Sequence, residues 1–195
     1  MLLFIPVTPN TKHTTTLPDK FSQASDADQF TILSSVGHEL RECCSSFGID
    51  IDAVAEPMGI DVASFDDFEA RISFQRFCQL LDALGSMSNQ DAFGLIYAQH
   101  SKRGATGPFG LGLAAAPKFK DMLNFYAKYV HIVVDLFSFD AIVERDRFTI
   151  EWSYSPLMSR TEQYADFAAA VGMRIFEQHA GGPIEPLHAR LQRSP

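Results

Sequence analysis

A change of hydrophobic period near residue 135 constrains this chain more than any other feature. Beyond Pro117, the positions Phe119, Met122, Leu123, Tyr126, Tyr129, Val130 and Val133 keep the three-and-four spacing of a helix with one apolar face. From Phe137 the step becomes two. Phe137, Phe139, Ala141 and Val143 alternate with Ser138, Asp140 and Ile142; after a polar turn at 144 to 147, Phe148, Ile150, Trp152 and Tyr154 alternate with Thr149, Glu151 and Ser153. Side chains that change face at every residue belong to strands, so 136–154 is expected to be an antiparallel hairpin. A two-stranded ribbon is marginal in water by itself. The helix over Lys118 to Val133 is therefore expected to pack on its aromatic face.

The remaining segments are mostly helical in period. Phe30, Leu33, Val36, Leu40, Cys43, Cys44 and Phe47 fall on one face of a helix ending at Gly48, and Ile51, Val54 and Met58 suggest a shorter one broken near Pro57 and Gly59. Ser73 is an N-cap candidate for a third helix carrying Phe74, Phe77, Cys78, Leu81 and Leu84, with Gly85 as its stop. Asp91 is expected to cap a fourth, with Phe93, Ile96 and Tyr97, before residues 101–108 interrupt regular structure. Helical spacing returns at Tyr164, Phe167, Ala168, Val171 and Ile175. Gly181-Gly182-Pro183 then precedes a last alternating run of Leu187, Ala189 and Leu191. Residues 8–28 are rich in Thr, Ser, Asp and Pro without an apolar period, so 1–28 reads as a flexible arm ahead of one domain over 29–195. The expected class is α+β: a mostly helical domain packed on a small antiparallel sheet.

Charge and motifs narrow the chemistry. A formal charge of -8 and a pI near 5.1 argue against this chain gripping a nucleic-acid backbone. Three cysteines form no even framework, which fits a reduced, cytoplasmic setting; no stretch has the apolar length of a membrane span and the short apolar start has no secretory pattern. Gly110-Leu111-Gly112-Leu113-Ala114-Ala115 matches a GxGxxA dinucleotide fingerprint, but no strand-like run precedes it, and a close-packed turn of small residues explains the same pattern. His38 with Cys43 and Cys44 is a poor metal set, better read as two core cysteines beside a surface histidine. There is no GxSxG elbow, HExxH or SxxK motif, so nothing asks for an enzyme; neither metal nor cofactor is expected. Nine acidic residues between Glu39 and Glu69 face only Arg41, whereas Lys102, Arg103, Lys118, Lys120 and Lys128 face only Asp121. The second segment is either a solvated face or an anion site.

The sequence blocks ISFQRFCQLLDALGSMSNQDAFGL and GATGPFGLGLAAAPKFKDMLNFYAKYVHI resemble the N-terminal sensor region of AraC-type transcription regulators, in the branch with an arabinose-binding-type domain. Asp91 to Leu95, then Gly107, Gly110 and Pro117 before a helix ending near Tyr129, carry the likeness. The resemblance implies a sensor that binds a small effector or dimerises, followed by two helix-turn-helix units that bind promoter DNA. Those units lie outside these 195 residues, so the chain reads as a truncated regulator. Its helical period differs from the β-barrel sensor of the founding arabinose regulator. The alternatives are a stand-alone small-molecule or haem-binding sensor, with His131 as the haem ligand, or an enzyme without a recognisable motif. The expected partners are a small effector, favoured to be anionic, and a second copy of the chain; DNA enters only through the absent units, and a membrane does not enter. The effector is expected between the long helix and the hairpin. Phe77, Tyr126, Tyr129, Trp152 and Tyr154 would supply the walls, and Arg103 or His131 the polar anchor.

Overall fold

Strands β1 (Leu2–Ile5) and β2 (Thr11–Thr15) precede β3 (Thr31–Leu33) and the short helices α1 (Leu40–Ser45) and α2 (Ile51–Ala55). Then come β4 (Arg71–Ser73), α3 (Phe74–Ser88), α4 (Phe93–His100), α5 (Pro108–Ala115) and α6 (Phe119–Val133). The hairpin β5 (Ser138–Glu144) and β6 (Arg147–Ser153), α7 (Glu162–Ala180) and β7 (His188–Arg190) complete the order. The structure is a computed structural model that describes residues 2–5, 11–15, 27–102, 106–136, 138–144, 147–184 and 188–191. It is an α+β fold.

The period-two segments pair as the alternation requires, with Phe139 opposite Trp152 and Ala141 opposite Ile150. Phe139, Ala141, Phe148, Ile150 and Trp152 are buried. The hairpin lies inside an antiparallel sheet of order β2-β5-β6-β1-β7, so two stretches of the expected arm are strands. The alternation gave no sign of this because β1, paired on both sides, is apolar at every position (Leu2-Leu3-Phe4-Ile5) and β2, at the edge, is polar at every position (Thr11-Lys12-His13-Thr14-Thr15), so neither has a period of two. Helix α6 covers the hairpin: the ring of Tyr126 sits 5.7 Å from that of Phe139.

The first expected helix is not continuous. Thr31–Leu33 is a strand pairing with β4, Ile32 opposite Ile72, and a 3-10 turn over Ser34–Gly37 intervenes before α1. Asp135 explains the break. Thr31 donates from its backbone nitrogen and from Oγ1 to Asp135 Oδ2, both at 3.0 Å, and the Asp135 nitrogen donates to the Thr31 carbonyl at 2.9 Å. Partners distant in sequence thus draw Thr31 and Ile32, β-branched and weak in helices, into an extended conformation.

Ser73 is the N-cap of α3: its Oγ accepts from the Arg76 nitrogen at 3.2 Å. The helix runs past Gly85 and closes on Asn89 at φ 54°. Asp91 does not cap α4; that role falls to Ala92, and the Asp91 carbonyl accepts from Gln163 Nε2.

Helices α4 and α7 make the closest crossing. A methyl group at Gly94 would lie 1.9 Å from the Gln163 carbonyl oxygen, so only glycine permits this approach. Gln163 reinforces it by accepting at Oε1 from the Gly94 nitrogen at 2.8 Å. One turn on, Tyr97 stacks on Phe167 with ring centroids 4.6 Å apart, and its hydroxyl donates to the Val36 carbonyl, tying both helices to the N-terminal layer. Gly94→Ala is expected to destabilise the protein by about 3 kcal/mol, the upper end for overpacking, because backbone rather than a movable side chain blocks the methyl. Urea unfolding checks this through the shift in midpoint.

Candidate functional site

The space between α5, α6, α7 and the hairpin is not filled. A cavity of about 390 Å³ remains there, within the size range of small-ligand sites. Its walls follow from the sequence pattern. On α7 the positions Phe167, Val171, Arg174 and Gln178 advance by four, three and four and so share the face turned to the cavity. Helix α5 begins with Pro108 after Gly107, whose φ of 56° is open to glycine at no steric cost. The GxGxxA stretch is therefore helix, not a turn. Its small residues serve close packing: a methyl at Gly112 would come within 2.2 Å of the Phe125 ring of α6.

The aromatic wall has two polar ends. Trp152 Nε1 donates to the Tyr154 hydroxyl at 2.9 Å, and burial pushes the Tyr154 phenol well above its ordinary value. Burial also pushes Tyr126 up to about 12. The Tyr126 ring nevertheless keeps accessible surface, because part of it faces the cavity, and its hydroxyl has no hydrogen-bond partner among the described residues.

Gly172, a buried helical residue of α7, also lines the cavity, and a methyl group there would meet no atom within 4 Å. The lining includes the cations Lys102, Lys118 and Arg174. Lys102 donates to Glu42 Oε2 at 2.9 Å at the surface. Arg174 donates from Nη1 to the Ala98 carbonyl in the last turn of α4, where helix carbonyls lack internal partners. His179 also borders the space, its Nδ1 donating to the Ile175 carbonyl at 3.2 Å.

Of the residues singled out from sequence, Tyr126, Trp152 and Tyr154 come together on this cavity. Phe77 is fully buried elsewhere, edge-on to Phe65 and Tyr164. Tyr129 packs on Phe125 at 4.6 Å with Lys128 Nζ over its ring, away from the lining. His131 is exposed on α6, and Arg103 lies outside the described residues. Arg174 lies outside the set singled out from sequence, and its sequence signal is its place in the α7 period, three residues after Val171 and four before Gln178. Lys102 and Lys118 belonged to the basic segment already noticed.

The cysteines are buried core residues. Burial pushes the Cys43 thiol up to about 11 and Cys44 up to about 12, so neither offers a thiolate at neutral pH. His38 turns outward, its Nδ1 2.8 Å from Asp66 Oδ1, and does not join them. Among the described residues no three His, Cys, Asp or Glu side chains are grouped to hold a metal, and no helix is long and apolar enough to cross a membrane.

Compared with known protein families, residues 48–195 match the arabinose-binding domain of AraC transcription regulators, the N-terminal domain of those proteins. No curated protein matches the chain.

The buried phenols give the site a spectroscopic test. Tyr97, Tyr126, Tyr154 and Tyr164 all hold their protons more tightly in the folded chain than the ordinary value of 10, chiefly because burial penalises the phenolate. The folded state therefore binds more protons than the unfolded one above pH 10, and the stability present below that pH is lost as pH rises through 10 towards 12. At pH 11 these four phenols are expected to stay largely protonated until the protein is unfolded, read from phenolate absorbance before and after adding guanidinium.

Proposed function

The chain belongs to the family of N-terminal arabinose-binding domains of AraC transcription regulators, and we propose that it senses a small effector in the cavity between α6 and the hairpin, pairs with a second copy of itself, and passes its occupancy to a DNA-binding unit of the regulator. The observation that carries this reading is the unfilled volume itself. The cavity opens to the surface at Lys102, Ala114, Pro117, Lys118 and Gln178, which are exposed, while its inner wall is apolar with a few polar groups, the usual construction of a small-ligand site. Here the space is bordered by Gly172, where a larger side chain would fit, and by a Tyr126 hydroxyl without a hydrogen-bond partner among the described residues. An effector would occupy the first and hydrogen-bond to the second.

The ligand that the haem alternative names, His131, is exposed on α6 and away from the cavity. For the enzyme alternative, the thiols lie outside the lining, and the base-type side chain among the described lining residues is His179 rather than an Asp or Glu. Pairing is proposed on the preference of soluble oligomers for two-fold symmetry.

Gly172 offers the test. Gly172→Ala is expected to raise stability by about 1 kcal/mol, the ordinary gain for alanine over glycine inside a helix. Gly172→Leu would project a branched side chain into the cavity and obstruct the effector. Native mass spectrometry of freshly purified protein should show a species of twice 21.7 kDa with a small-molecule adduct in the natural sequence and in Gly172→Ala. The adduct should be lost in Gly172→Leu. An adduct that persists in Gly172→Leu overturns the location, and a 21.7 kDa monomer at high concentration overturns the pairing.

A further inference from the structure

We infer that the effector is an organic anion with an apolar body, its acid group held by Arg174, and not a neutral sugar; this rests on the reading of the cavity as the effector site. The charged side chains on the lining are Lys102, Lys118 and Arg174, and no Asp or Glu accompanies them among the described residues. Lysine and arginine only donate hydrogen bonds. A sugar presents several O–H donors that each need an acceptor when buried, and the side-chain acceptors among the described lining residues are neutral, the Gln178 amide and hydroxyl groups such as that of Tyr126, with no carboxylate among them. A carboxylate, sulfonate or phosphate group has the opposite requirement: it accepts hydrogen bonds and is favoured by the positive field of these cations. Aromatic and aliphatic walls supplied by Phe139, Trp152 and Val171 then call for an apolar body behind the acid group.

Arg174 is the best-placed anchor. It is half-buried, it spends Nη1 on the Ala98 carbonyl, and no carboxylate lies within 4 Å of it among the described residues. That single bond fixes the guanidinium at the C-terminal end of α4 while leaving its other donors for a ligand. Lys102 is already paired with Glu42, and Lys118 is exposed, so each contributes field more than a defined bond.

Trp152 is the only tryptophan of the chain and lines the cavity, so its emission reports occupancy. Two dyes with the same aromatic body separate the possibilities: 1-anilinonaphthalene-8-sulfonate carries an anion, and N-phenyl-1-naphthylamine does not. The anionic dye is expected to quench Trp152 saturably and to bind at least about tenfold more tightly than the neutral one, and L-arabinose should not displace it. Arg174→Gln removes the charge and leaves a shorter, polar side chain. It should weaken the anionic dye about tenfold, the loss of one charge-assisted hydrogen bond, and leave the neutral dye within about twofold. Lys118→Gln, at an exposed position, gives a smaller loss of the same sign if Arg174→Gln fails to fold. Equal affinity for the two dyes, displacement by L-arabinose, or indifference of the anionic dye to both substitutions overturns the anion assignment and leaves the cavity reading standing. Quenching by neither dye overturns both.

Discussion

Helix α7 lies where it does because α4 lets it come close. At Gly94 the two backbones approach within a distance that no side chain would survive, and Gln163 bridges the gap in both directions, accepting from the Gly94 nitrogen and donating to the Asp91 carbonyl. Eleven residues further along α7, Arg174 reaches the Ala98 carbonyl near the other end of α4. The helix is thereby pinned at two points along one neighbour, and its opposite face is left to meet α6 and the hairpin. Between the pins, Tyr164 stands edge-on to Phe74 at 4.6 Å, and Phe74 in turn meets Tyr154 at 5.6 Å, so the aromatic core joins α3, α7 and the end of the hairpin.

The cavity is the remainder of that geometry. With α7 held against α4, the α7 face bearing Val171, Gly172 and Ile175 does not close on the hairpin, and small residues at Gly172 and along α5 do not fill the difference. A ligand that entered would touch three helices and a strand pair together. A protein responds to a ligand only to the extent that its conformations bind it differently. On the proposed reading, the arrangement of α7 against the sheet is the quantity that occupancy biases. The same two-point attachment places a guanidinium at the wall, because satisfying a free carbonyl at the end of α4 and presenting a charge to the cavity are done by one side chain.

Much of this was legible from the residues. The change from a period near 3.6 to a period of two placed α6 and the hairpin almost to the residue, and Ser73 capped α3 as its position suggested. What escaped was whatever depended on distant partners. Thr31 and Ile32 continue a helical period in sequence, yet Asp135, more than a hundred residues away, holds them extended. β1 and β2 pair with the hairpin's two edges, yet the first is apolar and the second polar at every position, so neither has a period of two. The site divided in the same way. Tyr126, Trp152 and Tyr154 line the cavity because helix and strand periods fix which way they face. Tyr129, only three residues from Tyr126, turned out to pack on Phe125, since a small rotation about α6 moves a side chain off the cavity. Arg174 was overlooked because an arginine within an apolar period reads as a break in it, when its stem and its contact with α4 make it part of the wall.

On the proposed reading, a ligand enters between α5, α6, α7 and the hairpin. Methyl-resolved NMR of the protein with 1-anilinonaphthalene-8-sulfonate tests it most directly. The account requires the shifted methyl signals to be those of Leu113, Val130, Val133, Val171 and Ile175, all on the cavity wall. Shifts confined to exposed methyl groups such as Leu111, Ile132 and Leu157, with the wall unchanged, would contradict it.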